Sequence, residues 1–232
     1  MNQVSNHEQI ELHPVVASVL KKRDILPENY PDYFSWDLKS LPDLTGLLDL
    51  EKAAIRIISA MKNSEKIGIY GDYDVDGTTS CALFYKFFQL HGIEVVLFQP
   101  SRFKEGYGIH PSSIENALEK GVKVLITVDC GITNCETADY AKKREIDLII
   151  TDHHKDIREN MPAAFAIVNP NQQGCDSGLT YLCGTGVAFY LILALRKKMT
   201  ELKVLKSNFD PKILLDCFAI GTLTDMVPLV KE

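Results

Sequence analysis

Three short apolar runs in this 232-residue chain end in side chains able to hold a cation or move a proton. Ile67-Gly-Ile-Tyr70 runs into Asp72-Tyr-Asp74-Val-Asp76-Gly77, residues 123–128 run into Asp129, and residues 147–151 run into Asp152-His153-His154. As parallel strands of an open α/β sheet, these runs would align their carboxyl ends along one edge, where such sheets bind ligands. That edge would carry at least five carboxylates and two imidazoles. Their mutual repulsion is prohibitive without cations, so the pattern predicts a metal site. Aspartate and histidine at alternate positions suit Mn2+ or Mg2+. The number of ligands fits two ions about 3.5–4 Å apart, bridged by a carboxylate and a hydroxide. Such a pair lowers the pKa of the bridging water and clamps phosphoryl oxygens, so the chemistry implied is phosphoester or phosphoanhydride hydrolysis. Asp72–Gly77 also matches the opening of an EF-hand calcium loop. The closing glutamate of that loop would fall where Leu83 stands, and the segment follows a strand, so the calcium reading fails.

The elements that must position these residues follow from periodicity. Leu50, Ala53, Ala54, Ile57, Ile58 and Met61 recur at helical spacing before the strand at 67–70. The chain then alternates: a helix over 78–91, a strand at 94–99, a helix near 112–120, a strand at 123–128, a helix near 134–144 and a strand at 147–151. Ala166–Val168 adds a further strand, and 185–199 and 211–224 read as helices. This is the signature of an α/β fold, a doubly wound, mostly parallel sheet flanked by helices. Residues 1–48, with Pro14, Pro27, Pro31, Pro42 and the only tryptophan, Trp36, show little periodicity and read as an N-terminal arm on a domain spanning 49–232.

Composition bounds the function. Hydrophobic residues at 46% and charged residues at 24% describe a soluble globular protein. A net charge of −6 provides no global field for nucleic acid or anionic membrane, so any polyanion site is local. The apolar runs Val124–Val128 and Leu148–Ile150 are far too short to span a membrane, and the polar N-terminus does not resemble a signal peptide. Six cysteines without a C-x-x-C pair read as reduced thiols of a cytoplasmic protein. Lys21-Lys22-Arg23, Lys142-Lys143-Arg144 and Arg196-Lys197-Lys198 read as solvated helix ends. His7, His13, His91 and His110 lack ligand spacing and read as surface or loop residues.

Asp72–Gly77, Asp129, the triplet Asp152-His153-His154 and Asp225 in GTLTDMVPL resemble the four motifs of the DHH phosphoesterase superfamily. The connecting segments IYGDYDVDGTTS, SRFKEGYGIH, LCGTGVAF and GTLTDMVPL are similar, in order, to those of its RecJ branch, the bacterial single-strand-specific exonucleases. The likeness covers roughly residues 40 to 232. It implies Asp74 as a ligand of a first metal, with Asp72 either a ligand or an acceptor behind it. It implies Asp76, His153 and Asp225 as ligands of a second metal, Asp129 as the bridge, and Asp152 as the residue orienting the histidines. His154 would act beside the scissile phosphate, making His154, Asp129 and Asp76 the catalytic candidates. Arg102 and Tyr107 become candidates for holding or stacking the substrate. Gly184 and Gly186, at a helix start, become candidates for a phosphate contact.

The resemblance therefore implies a metal-dependent 5′-to-3′ exonuclease on single-stranded DNA, in repair and recombination, with a single-strand-binding protein and a helicase as partners and no membrane. One alternative keeps the chemistry on a small substrate: a cyclic dinucleotide, a short oligonucleotide or pyrophosphate. Another is a non-catalytic replication scaffold, against which every motif position holds a competent ligand. Relatives in that branch continue into a second, DHH-associated domain and usually an oligonucleotide-binding fold, so this chain reads as an N-terminal catalytic fragment.

Overall fold

The computed structural model describes residues 12–34, 38, 41–100, 106–155, 160–205, 207 and 209–229. Two compact units divide the chain: Met1–Pro42 with Val230–Glu232, and Asp43–Leu229. The first unit contains α1 (Pro14–Lys22), a 3-10 turn (Pro27–Asn29) and α2 (Tyr30–Tyr33). Despite the low periodicity of this segment, α1 forms and ends at the Lys21-Lys22-Arg23 cluster read as a helix end. Pro14 occupies the first turn, where no N–H is needed, and the His13 ring accepts from the Val15 N–H at 3.3 Å. Lys21 and Lys22 fall in its last turn.

The second unit runs α3 (Leu50–Lys62), β1 (Lys66–Gly71), α4 (Val75–Leu90), β2 (Val95–Phe98), α5 (Pro111–Glu119), β3 (Val122–Val128), α6 (Cys135–Lys143), β4 (Asp147–Thr151), β5 (Ala166–Val168), α7 (Gly184–Glu201) and α8 (Leu215–Thr224). The five strands form one sheet in the order β2-β1-β3-β4-β5, and every pairing is parallel. The strand order reverses direction at β1, which places β1 and β3 side by side at the switch point. Right-handed crossovers on opposite sides of that switch send α4 and α5 to opposite faces of the sheet. On one face Ile114 and Ala117 of α5 and Ala138 and Ala141 of α6 pack with Tyr70, Leu125, Leu148 and Ile150. Central strands covered on both faces lose their polar alternation, and β3 is buried at every position but Lys123.

Three local differences from the sequence expectations have physical causes. α4 begins at Val75, earlier than its periodicity suggests, because Asp74 caps it by accepting from the Gly77 N–H at 2.9 Å. Asp76 therefore sits in a first helical turn and not in a loop. The 211–224 segment opens as a 3-10 turn, Pro211–Leu214, capped by Asp210, before α8 begins. His91 is buried, not on the surface: its Nδ1 lies 2.9 Å from the Phe87 carbonyl and its ring packs on Phe87 and Phe209. At the sheet edge, the Asp49 carboxylate accepts from the β5 amide of Ile167 at 3.0 Å, satisfying a group that would otherwise face an open edge.

Leu125 lies fully buried in β3, between β1 and β4. Leu125→Ala should lower unfolding free energy by about 2–5 kcal/mol, read from the urea midpoint at unchanged slope.

Candidate metal centre

The carboxyl ends of β1, β3 and β4 converge because these strands are neighbours in the sheet. From β1 come Asp72, Asp74 and Asp76. Asp72 is buried and accepts from the Tyr73 N–H at 2.7 Å, while exposed Asp74 caps α4. Asp76 is buried and held from α7: Gly184 N–H donates to its Oδ2 at 2.6 Å, and Thr185 donates to its Oδ1 through N–H at 2.9 Å and through its hydroxyl at 2.6 Å. These donors, at the positive end of a helix, compensate for the burial of a carboxylate. The approach is close enough to require glycine. A Cβ on Gly184 would come within 2.7 Å of Asp129, and one on Gly221 of α8 within 2.7 Å of the Asp76 Oδ1.

This geometry corrects the expectation that Gly184 and Gly186 face a substrate phosphate. The Gly184 N–H is directed at Asp76 and the Gly186 N–H at the Cys183 sulfur, 3.4 Å away, and both glycines are buried. The helix start does bind an anion, but the anion is a side chain of the protein itself. Thr185, the other donor to Asp76, carries no functional signature in the sequence. No local pattern marks it, since its hydroxyl meets those of Thr79 and Ser80, at 2.7 and 3.0 Å, only where the fold joins segments more than a hundred residues apart.

Asp129 follows β3 in the left-handed region, at φ 59°, while its N–H extends the ladder to the Thr151 carbonyl at 3.0 Å. That backbone turn directs its side chain into the cluster. Asp152 is saturated by protein donors: Oδ1 accepts from the N–H of His153 at 2.7 Å, the N–H of His154 at 3.0 Å and the His154 ring at 2.7 Å, and Oδ2 accepts from the Ile132 N–H at 2.9 Å. It joins the loops after β3 and β4 and orients His154.

His153 Nε2 lies 3.2 Å from Asp129 Oδ1, 3.6 Å from Asp225 Oδ2 and 3.9 Å from Asp76 Oδ2. Three sets of potential ligand atoms, each within 4.8 Å of one another, overlap here: Asp72, Asp74 and Asp129; Asp76, His153 and Asp225; and Asp129, His153 and His154. Asp129 Oδ1 and His153 Nε2 are both buried and neither makes a hydrogen bond. Two buried lone-pair donors 3.2 Å apart without a hydrogen bond, ringed by carboxylates, fit a hard or borderline divalent cation.

The electrostatics agree. Burial, then the charges of Asp76, Asp74, Asp152 and Asp225, push the Asp129 carboxyl up to about 11. Burial also raises Asp72 and Asp225. The hydrogen bond to Asp152 raises His154 above its ordinary value, against burial. Tyr107, half-exposed, places its hydroxyl 3.4 Å from the His154 ring nitrogens and its ring edge-on to that imidazole. Burial, then Asp152, raises its phenol, which stays protonated. The Tyr70 hydroxyl fastens this segment by donating to the Gly108 carbonyl at 3.0 Å. Cys130 is fully buried and its thiol is pushed well up, which removes it as a nucleophile. Arg102 lies outside the described residues.

A stability test follows. Burial and the neighbouring acids push the Asp129 carboxyl in the folded chain up to about 11, far above the ordinary carboxylate range of the unfolded chain, so its contribution is fully present below that ordinary range and is lost as pH rises toward 11. In EDTA, the Tm advantage of Asp129→Asn over the parent should widen as pH rises from about 5 to 8. Millimolar Mn2+ should raise the parent's Tm and leave the variant's nearly unmoved.

Comparison with known proteins places this geometry. The DHH family, N-terminal domain, matches residues 66–222. The single-stranded-DNA-specific exonuclease RecJ of Haemophilus influenzae is 38% identical over 98% of this chain, and that of Bacillus subtilis 39% over 97%. The chain spans 38% and 27% of those two relatives' lengths. Among solved structures, an exonuclease RecJ bound to manganese superposes with a TM-score of 0.70 at 31% identity, covering 82% of this chain and 46% of that one. The Thermus thermophilus RecJ in complex with Mn2+ superposes at 0.73 and 27% identity, covering 95% and 30%. With four motifs converging on one cluster and a family match over most of its length, the chain belongs to the DHH family.

Proposed function

We propose that this chain is the catalytic part of a metal-dependent exonuclease that hydrolyses single-stranded DNA from the 5′ end. The observation that carries it is the overlap of the acidic sets around the unpartnered Asp129 oxygen, in a chain similar to RecJ exonucleases over nearly its whole length. The catalytic domain is taken as residues 49–232. Asp72, Asp74 and Asp129 would hold one Mn2+ or Mg2+, and Asp76, His153 and Asp225, with Asp129 between, would hold another. Bound there, such ions supply an activated water and a clamp on phosphoryl oxygens. The protein's own residues do the rest. His154, kept protonated to higher pH by Asp152, donates to a phosphate oxygen or to the departing 3′-oxygen. Tyr107, its ring beside His154, offers a face for a base near the scissile bond. The cytoplasmic location, and partnership with a single-strand-binding protein and a helicase, rest on the family resemblance. Among the described residues no helix is long and apolar enough to cross a membrane.

Release of nucleotide from a 5′-labelled single strand should require Mn2+ or Mg2+ and fall by about a hundredfold or more in Asp76→Ala or Asp129→Ala. A cyclic dinucleotide and pyrophosphate serve as parallel substrates. Turnover confined to these, or variants as active as the parent, overturns the reading. Tyr107→Ala should raise KM for the strand at least about fivefold, in line with about 1–3 kcal/mol per stacked base, and Tyr107→Phe should not.

A further inference from the structure

β4 ends at Thr151, and the last ladder bond beyond it runs from the Asp152 N–H to the Val168 carbonyl at 3.1 Å. From His153 onward the backbone has left the sheet, so its polar groups need other partners. All four are taken by side chains. The N–H groups of His153 and His154 donate to Asp152 Oδ1. The His154 carbonyl accepts from the Asn169 amide at 2.9 Å, and the His153 carbonyl accepts from the Asn171 amide at 2.6 Å. The two asparagines are themselves coupled, because the Asn171 N–H donates to Asn169 Oδ1 at 2.7 Å across Pro170, whose ring fixes one backbone angle of the turn. Asn169 is fully buried.

We propose that Asn169 and Asn171 are positioning residues that set the direction of the His153 and His154 side chains by gripping their backbone carbonyls. The inference rests on the metal reading of the site. Rotating either peptide plane swings an imidazole, and His153 Nε2 has to meet donors on Asp129, Asp225 and Asp76, which come from the three other motifs. Asp152 alone fixes only the N–H side of these peptides. The asparagine pair fixes the other side and ties it to the turn after β5, so the histidine register is shared between the carboxyl ends of two adjacent strands. Nothing in the spacing of the acidic motifs points to these residues. They follow β5 in the segment Asn169-Pro170-Asn171-Gln172, and Gln172 makes the same kind of bond to a different target: its amide donates to the Ile167 carbonyl at 2.7 Å.

Gln172 supplies the control. Mn2+ affinity is measured by the electron paramagnetic resonance signal of free Mn2+, with metal-free stability from urea unfolding, for the parent, Asn171→Leu, Asn171→Ala and Gln172→Leu. Both Asn171 variants should bind Mn2+ about tenfold or more weakly, the scale seen when partners behind metal ligands are lost. Gln172→Leu should stay within about twofold of the parent even where its urea midpoint falls as far. Asn171→Ala, which leaves space where leucine could clash, answers for the pair if Asn171→Leu fails to fold. Parent-like affinity in a folded Asn171 variant, or an equal loss in Gln172→Leu, overturns the positioning role. Absence of saturable Mn2+ binding in the parent overturns the metal reading itself.

Discussion

The cost of gathering carboxylates in one buried cleft governs the rest of this structure. Two like charges about 4 Å apart repel by roughly 4 kcal/mol at the effective dielectric of a protein surface, and burial adds a desolvation penalty for each. Asp72, Asp76, Asp129 and Asp152 are all buried within this cluster. Parallel strands bring them there, since β1, β3 and β4 are adjacent and each ends in acid. A fold that accepts such an arrangement must either hydrogen-bond the carboxylates or offer them a cation, and here some acids are hydrogen-bonded while others form sets that would fit a cation.

The acids divide between those two solutions. Asp152 spends both oxygens on protein donors and acts as a brace between loops. Asp74 caps α4, and Asp76 anchors α7 through Gly184 and Thr185, so each fastens a helix to the sheet edge while staying within the cluster. Asp129 is the opposite case. Its Oδ1 has no hydrogen bond, and burial among neighbouring carboxylates pushes its carboxyl up to about 11. This buried acid without a hydrogen bond at Oδ1 belongs to two of the overlapping sets of ligand atoms and lies beside His153 of the third.

Adjacent histidines acquire different chemistry from one backbone. The His153 side chain is 12% exposed and points among carboxylates, whereas that of His154 is 42% exposed and bonded to Asp152. A buried imbalance of lone pairs suits a ligand, and a half-exposed, charge-favouring ring suits contact with an anionic substrate. The distinction depends on the backbone turning sharply after β4, where side chains have replaced the sheet as partners for the peptide groups. The overall charge of −6 is no obstacle, because cations in the cleft would present a local positive site to a polyanion.

Much of this was legible in the sequence. Apolar runs alternating with amphipathic segments gave the parallel sheet, because buried central strands need no polar face. Acids placed at the ends of those runs gave the metal cluster, because strand direction alone determines which edge they reach. Other features required the tertiary structure. Strand order is decided by which crossovers pack, and it alone makes β1, β3 and β4 neighbours. On local grounds the start of α7 reads as a phosphate site, since a helix N-terminus attracts anions whatever their source. That the anion is Asp76, over a hundred residues away, follows only from the approach of α4 and α7. Periodicity describes what a segment buries, whereas the partner of a polar group is set by whatever distant segment the fold brings within hydrogen-bonding distance.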